Sequence, residues 1–177
     1  AERWAQELAG LVRTLTLDAE RRWGARIRAN SPLFAWAVRH AAFLYNRFQV
    51  RSTGTTPFEQ VHHRMYRSRL LPFGAPVMLR SPIATEQPKL EARWQPGVWL
   101  GRRAESDENI VGTPVGVLTG RSCRIMDARD PACVQLLQQM QWTTWGTGTV
   151  PREAVPAQLT VKGEEKKKDK PDESDEE

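Results

Sequence analysis

The sequence predicts an α+β protein in which a helical first segment is followed by a small β-barrel and a charged tail. Three observations predict it. Apolar residues recur at helical spacing from Trp4 to Ala19, five short apolar pieces separated by Gly and Pro lie between Pro72 and Met126, and the stretch from Lys162 to Glu177 is almost wholly charged. With 177 residues, 40% hydrophobic and 27% charged, the chain has room for one ordinary domain or two small ones and is too short for a large multi-domain enzyme. We divide it into a helical segment (1–70), a β module (71–130), and a short helix with a tail (131–177).

In the first segment Trp4, Leu8, Leu11, Val12, Leu15 and Ala19 define one face of a long amphipathic helix from about Ala1 to Ala25. At about 100° per residue, Glu2, Gln6, Ala9 and Arg13 fall on the opposite face. Gly24 and Asn30-Ser31-Pro32 end this helix, and Ser31 or Pro32 opens a second one near Leu33 to Arg47. Its expected buried face is Phe34, Val38, Ala41, Ala42 and Tyr45, with Trp36 and Leu44 beside it. Within it His40 is expected to be packed and hydrogen-bonded. Thr56-Pro57-Phe58-Glu59 then places an N-cap before a first-turn proline and starts a short helix reaching about His63.

After Leu71 the pattern changes to strands. Val77-Met78-Leu79, Val98-Trp99-Leu100, Ile110-Val111, Val115-Gly116-Val117-Leu118 and Arg124-Ile125-Met126 are short and bounded by turn residues, which suggests a small closed barrel with Trp94 and Trp99 in its core. Pro131 to Met140 is compatible with one more short helix. Residues from Thr143 on are expected to lack packed structure, being rich first in Thr, Gly and Pro and then in charge. Lys166-Lys167-Lys168 has acidic neighbours on both sides, which favours a solvated linker over an import signal.

Charge is distributed unevenly. The first 104 residues hold 17 basic and 7 acidic side chains, net +10, and the remaining 73 hold 9 and 14, net −5. Polyanion binding therefore belongs to the first two-thirds, where all cations but Lys89 are Arg, a residue that contacts phosphate bidentately. Two cysteines, Cys123 and Cys133, allow at most one disulfide and point to free thiols in an intracellular, reducing compartment. His62 and His63 are sequence neighbours with no CxxC or HxxxH spacing around them, so no zinc site is expected. No apolar run approaches the roughly 18 residues of a membrane span, and no membrane partner is expected.

Several pieces, in one order, resemble one family. Ala1-Glu2-Arg3 at the head of an amphipathic helix looks like the Ala-Glu-Arg that carries the last acidic residue of an integrase DDE triad. Trp36-Ala37-Val38 with His40-Ala41-Ala42-Phe43-Leu44-Tyr45-Asn46-Arg47 resembles the W-A-x-x-x-A-x-x-L-x-N-R helix, and Thr55-Thr56-Pro57-Phe58-Glu59 the T-P-x-E that follows it. Pro72-Phe73-Gly74-Ala75-Pro76-Val77 is similar to an F-G-x-x-V strand entry. Lys89-Leu90-Glu91-Ala92-Arg93-Trp94 and Gly97-Val98-Trp99-Leu100-Gly101 resemble K-L-x-x-R and G-x-x-L-G elements, and Ile110-Val111-Gly112-Thr113 with Val117 and Arg121 completes the series. Together these resemble the C-terminal part of the integrase of copia-type LTR retrotransposons, over about residues 1–126.

The resemblance implies the last helices of an RNase H-like core, here truncated, followed by a small SH3-like β-barrel. It implies a polynucleotidyl transferase in which three carboxylates hold two Mg²⁺ or Mn²⁺ ions, and in which DNA ends are processed and joined to target DNA. By that likeness Glu2 is a catalytic residue and metal ligand. The family's two aspartates have no matching positions in this sequence, so the chain alone is expected to be inactive and to hold no metal tightly. Without the likeness, Glu2 reads as an acidic residue favourable to a helix N-terminus.

Candidate DNA contacts are Gln6 and Arg13 on the Glu2 stripe, Arg64, Arg67 and Arg69 at the junction of the two segments, and Arg93, Arg102 and Arg103 in the strand module. Expected partners are DNA, both retroelement ends and target, and other integrase subunits, with action in the nucleus and no small-molecule substrate. Two other readings stand beside this one: a non-catalytic nucleic-acid-binding or integrase-assembly module, and a degenerate retroelement remnant.

Overall fold

A computed structural model describes residues 2–80, 93–114 and 116–127, together with Gln135, Leu136, Gln139 and Thr144. Three helices come first: α1 (Glu2–Trp23), α2 (Pro32–Phe48) and α3 (Pro57–His62). Each starts or stops where local chemistry dictates. Ser31 caps α2 through its side chain, which accepts from Leu33 N, with Pro32 in the first turn. Thr56 and Glu59 form a reciprocal capping box on α3, their side chains accepting from each other's backbone N–H at 3.2 and 2.7 Å. His63 then ends α3 in the left-handed region at φ 52°, which turns the chain into an extended arm.

Five strands follow: β1 (Pro76–Arg80), β2 (Trp94–Arg102), β3 (Asn109–Thr113), β4 (Gly116–Gly120) and β5 (Cys123–Ile125). All pairings are antiparallel, in the order β4-β3-β2-β1-β5. The expected closed barrel is corrected to an open sheet, since β4 and β5 are its two edges and do not pair. It is nevertheless curled. Flat, the edges would stand about 19 Å apart at a strand spacing of ~4.8 Å, whereas the two-residue link Arg121-Ser122 spans at most about 11 Å. The close approach of β4 to β1 shows the same curl: a Cβ on Gly120 would lie 3.0 Å from a Leu79 methyl and 3.2 Å from the Arg80 carbonyl oxygen.

Curling gives the sheet two buried faces. Ala75, Val77, Leu79, Trp99 and Val111 fill the inner face, with Leu70, Leu71, Leu118 and Cys123 at its margin. The outer face presents Val98, Leu100 and Ile110 to Val12, Ala19, Trp23, Leu33, Trp36, Ala37 and Ala41 of the helices, and Phe73 joins that core. Successive residues Val98, Trp99 and Leu100 therefore alternate between two cores, which explains the unbroken buried run in β2. The pairing of β2 with β3 carries a register irregularity between Trp99 and Gly101. Helices and sheet are also tied by hydrogen bonds: Trp23 Nε1 donates to Gly74 O at 2.6 Å, and Arg22 donates to Phe73 O at 2.7 Å.

Three expectations about burial need correction. The buried face of α2 is Leu33, Trp36, Ala37, His40, Ala41, Phe43 and Arg47, whereas Val38 and Ala42 are exposed. Trp99 is fully buried but Trp94 only half so, with the Arg124 guanidinium 4.5 Å above its ring. His40 is packed as expected, stacked on Phe43 and Phe73 and edge-on to Trp99, yet its Nδ1 lacks a hydrogen-bond partner. In the last segment Gln135, Leu136 and Gln139 are helical and Leu136 reaches the outer core; the Lys89-to-Ala92 motif and the charged tail lie outside the described residues.

Candidate nucleic-acid interface

The arm that leaves α3 is where sequence and structure place cations together. From Tyr66 to Leu70 the extended chain alternates. Tyr66, Ser68 and Leu70 turn inward while Arg67 and Arg69 are exposed, and Arg64, just after the αL turn, is exposed as well. The inward side is firmly held. Tyr66 donates to Asp107 Oδ1 at 2.5 Å, and the Ser68 hydroxyl donates to Asp107 Oδ2. Arg102 braces the same contact, donating to Asp107 O at 2.5 Å and to Arg69 O at 2.7 Å.

Behind the arm lies an aromatic box. Tyr66 meets Phe43, Phe48 and Phe58 edge-on, with centroids 5.5 to 5.7 Å apart, and the Arg47 guanidinium sits 3.8 Å from the Phe43 centroid and within 5.2 Å of Phe58 and Tyr66. Such contacts hold a desolvated cation by the quadrupole of the rings. Burial lowers the Arg47 pKa from its ordinary value, opposed by Tyr66, Asp107 and Glu105. Burial, and then the hydrogen bond to Asp107, raise the Tyr66 hydroxyl to about 12, so near neutral pH it remains the donor in that pair.

Between arm and the loop after β2 runs an open groove of ≈ 750 Å³ whose walls include His62, Arg64, Arg67, Arg47, Glu105 and Asp107. Of its two acids, Asp107 is engaged by Tyr66, Ser68 and Arg102, while Glu105 pairs with Arg103 at 3.7 Å. The groove thus offers Arg64 and Arg67 to solvent beside a carboxylate that is already spoken for, a surface suited to phosphate oxygens.

The structure groups some sequence candidates and separates others. Arg64 and Arg67 share the groove, and Arg69 adjoins it through its bond to Arg102. Arg102 itself is largely buried, with internal hydrogen bonds, so it positions the arm more than it faces a ligand. Arg103 is exposed apart from its surface pair with Glu105, and Arg93 is exposed where β2 begins. Gln6 is exposed on α1, and Arg13 lines a different, mainly apolar groove with Trp4, Leu8, Val12, Phe34 and Val38.

Glu2 is exposed in the first turn of α1. Among the described residues no three His, Cys, Asp or Glu side chains are grouped to hold a metal ion. Among them too, no helix is long and apolar enough to cross a membrane. Sequence reasoning missed Arg47, Tyr66 and Asp107 as parts of this region. The i, i+4 pair Phe43 and Arg47 was the available signal for the first; nothing local marks Asp107, which acts across 41 residues of chain.

No family model matches the chain, and neither a curated protein nor a solved structure was found to match it.

Proposed function

We propose that this chain binds the phosphate backbone of duplex DNA through the Arg64-Arg67-Arg69 arm, as the C-terminal part of a copia-type retrotransposon integrase. The observation that carries the DNA-binding half is the arm itself: three exposed arginines on a backbone fixed by Tyr66, Ser68 and Arg102 around Asp107. A fixed arm presents its cations without the ordering cost that a loose one meets on binding. The integrase half rests on the ordered motifs from Ala1-Glu2-Arg3 to Arg121.

In that reading the chain positions retroelement or target DNA in the nucleus and contacts other integrase subunits, while strand transfer needs carboxylates beyond those this sequence supplies. Glu2 is its proposed contribution to an Mg²⁺ or Mn²⁺ site. Glu2→Gln in an integrase containing the two aspartate-bearing segments should abolish strand transfer and leave DNA binding nearly unchanged; retained transfer removes Glu2 from the chemistry. A binding or assembly module without chemistry of its own is the second reading, supported by the same exposed Arg64, Arg67 and Arg69.

The arm is tested by charge-matched variants. Arg64→Gln, Arg67→Gln and Arg69→Gln together should weaken duplex binding far more than the same changes at Arg21, Arg26 and Arg28, which are exposed at the end of α1 and beyond. Equal losses would mean that net charge alone attracts DNA.

A further inference from the structure

Between α2 and the end of β2 lies a second cavity, of ≈ 220 Å³, whose walls include Arg39, His40, Asn46, Arg47, Gly101 and Arg102. Three buried side-chain nitrogens lack hydrogen-bond partners, His40 Nδ1, Arg47 Nε and Arg102 Nε, and all three belong to residues of this one wall. His40 is 4% and Arg47 8% exposed, so solvent at the surface does not satisfy them. Gly101 keeps the space beside His40 open: at φ +136° it has no side chain, and a Cβ would stand 2.9 Å from Nδ1.

The charge of the wall is one-sided. Arg39, Arg47 and Arg102 line it, and among the described residues no Asp or Glu does. Arg47 has no ion pair among those residues and donates from its Nη2 to the Ala104 carbonyl at 3.3 Å, and Arg102 shares Asp107 with Tyr66 and Ser68. A buried guanidinium N–H left unsatisfied costs about 1–3 kcal/mol or more. Water would satisfy the donors; an anion would in addition complement the positive charge that the Phe43, Phe58 and Tyr66 rings and Asp107 hold at this wall.

From this arrangement we infer that the cavity binds a phosphate-like oxyanion, which accepts from Arg47 Nε and Arg102 Nε and is closed in by Arg39 and Asn46 at the rim. The oxyanion is either free inorganic phosphate or one phosphodiester of DNA lying in the neighbouring groove, since Arg47 and Ala104 line both cavities. Inorganic phosphate is a sufficient probe, so the site stands or falls apart from DNA binding by the arm.

Titration of the full chain with inorganic phosphate at constant ionic strength, followed by NMR of the arginine Nε–H groups, tests it. Phosphate should shift the Arg47 and Arg102 signals saturably, and chloride should not. Arg39→Gln and Asn46→Leu change exposed rim positions and should leave the fold intact. Each should weaken phosphate binding about tenfold, the loss expected for one charge-assisted hydrogen bond. A short duplex that displaces phosphate identifies the site's occupant as a backbone phosphate; a duplex that binds without displacing it identifies free phosphate. No saturable shift, or one that chloride reproduces or that both rim variants leave unaltered, overturns the proposal.

Discussion

Tyr66 donates its phenolic hydrogen to Asp107 Oδ1 at 2.5 Å, joining the arm after α3 to the loop between β2 and β3. Asp107 adopts φ 57°, a left-handed conformation that Asp and Asn tolerate better than most residues, and in it the carboxylate serves Tyr66, Ser68 and Arg102 together. Around this one carboxylate the backbone that carries Arg67 is held on both sides, at Tyr66 and at Ser68.

Asp107→Asn keeps the backbone preference and removes the charge. It should cost about 1.5–3 kcal/mol, the worth of a hydrogen bond to a charged group, measured as a shift in urea midpoint without a change in slope. Tyr66→Phe should lose a similar amount while preserving the aromatic box. Unchanged stability in both would show that the arm is held by the rings alone.

His40 gives the fold an acid sensitivity. Burial lowers its pKa from 6.5 to about 4, so the folded state resists the proton that the unfolded state accepts. The stabilisation is fully present above pH 6.5 and is lost as pH falls towards 4, amounting to about 3 kcal/mol. His40→Leu should flatten the stability profile in that window. Tyr66 acts at the other end: its hydroxyl is raised to about 12, so its contribution is intact below pH 10 and fades as pH rises from 10 towards 12.

Much of the fold was legible and particular residues show why. Each of the five strands contains residues of one of the apolar pieces, and the Thr56 cap opens α3, because Gly, Pro and capping chemistry act locally. The full length of β2 was hidden by Gln95-Pro96-Gly97. Pro96 is tolerated there because β3 pairs with β2 only from Val98 on, so a missing N–H on that side breaks no ladder bond. The buried face of α2 was misread because apolarity does not mark His40 or Arg47, which are buried, while Phe34 and Val38 face an open groove with α1. Closure of the sheet is a long-range property of curl and edge pairing, which no local motif encodes. At the interface, exposed arginines at alternate positions were readable; their anchor, Asp107, was not.

Asn109 should be the most sensitive polar position in the sheet. It is buried, accepts from Trp99 Nε1 at 3.1 Å, and donates to the carbonyls of Gly120 and Arg121 at 3.1 and 3.0 Å, tying β2 and β3 to the turn that leads into β5. Asn109→Ala removes all three hydrogen bonds, leaves the buried Trp99 Nε1 and Gly120 carbonyl unsatisfied, and should cost about 3 kcal/mol or more by chemical denaturation. Loss of less than about 1 kcal/mol would mean that water replaces the amide.

Gly97→Ala should also destabilise strongly, through sterics. A Cβ there would lie 2.5 Å from a Val111 methyl and 2.7 Å from the Gly112 carbonyl oxygen, and the latter is backbone that moves only with β3. An expected cost of about 1–3 kcal/mol follows for overpacking, read from thermal or urea unfolding.

The central claim is that Arg64, Arg67 and Arg69 meet DNA phosphates, and the most direct measurement is the salt dependence of duplex binding. Each phosphate contact contributes about 0.9 to the slope of log K against log salt on B-DNA. Replacing the three arginines by Gln should reduce that slope by about three while weakening binding to different sequences uniformly. A slope unchanged by the triple substitution, or binding that salt does not affect, would contradict the account.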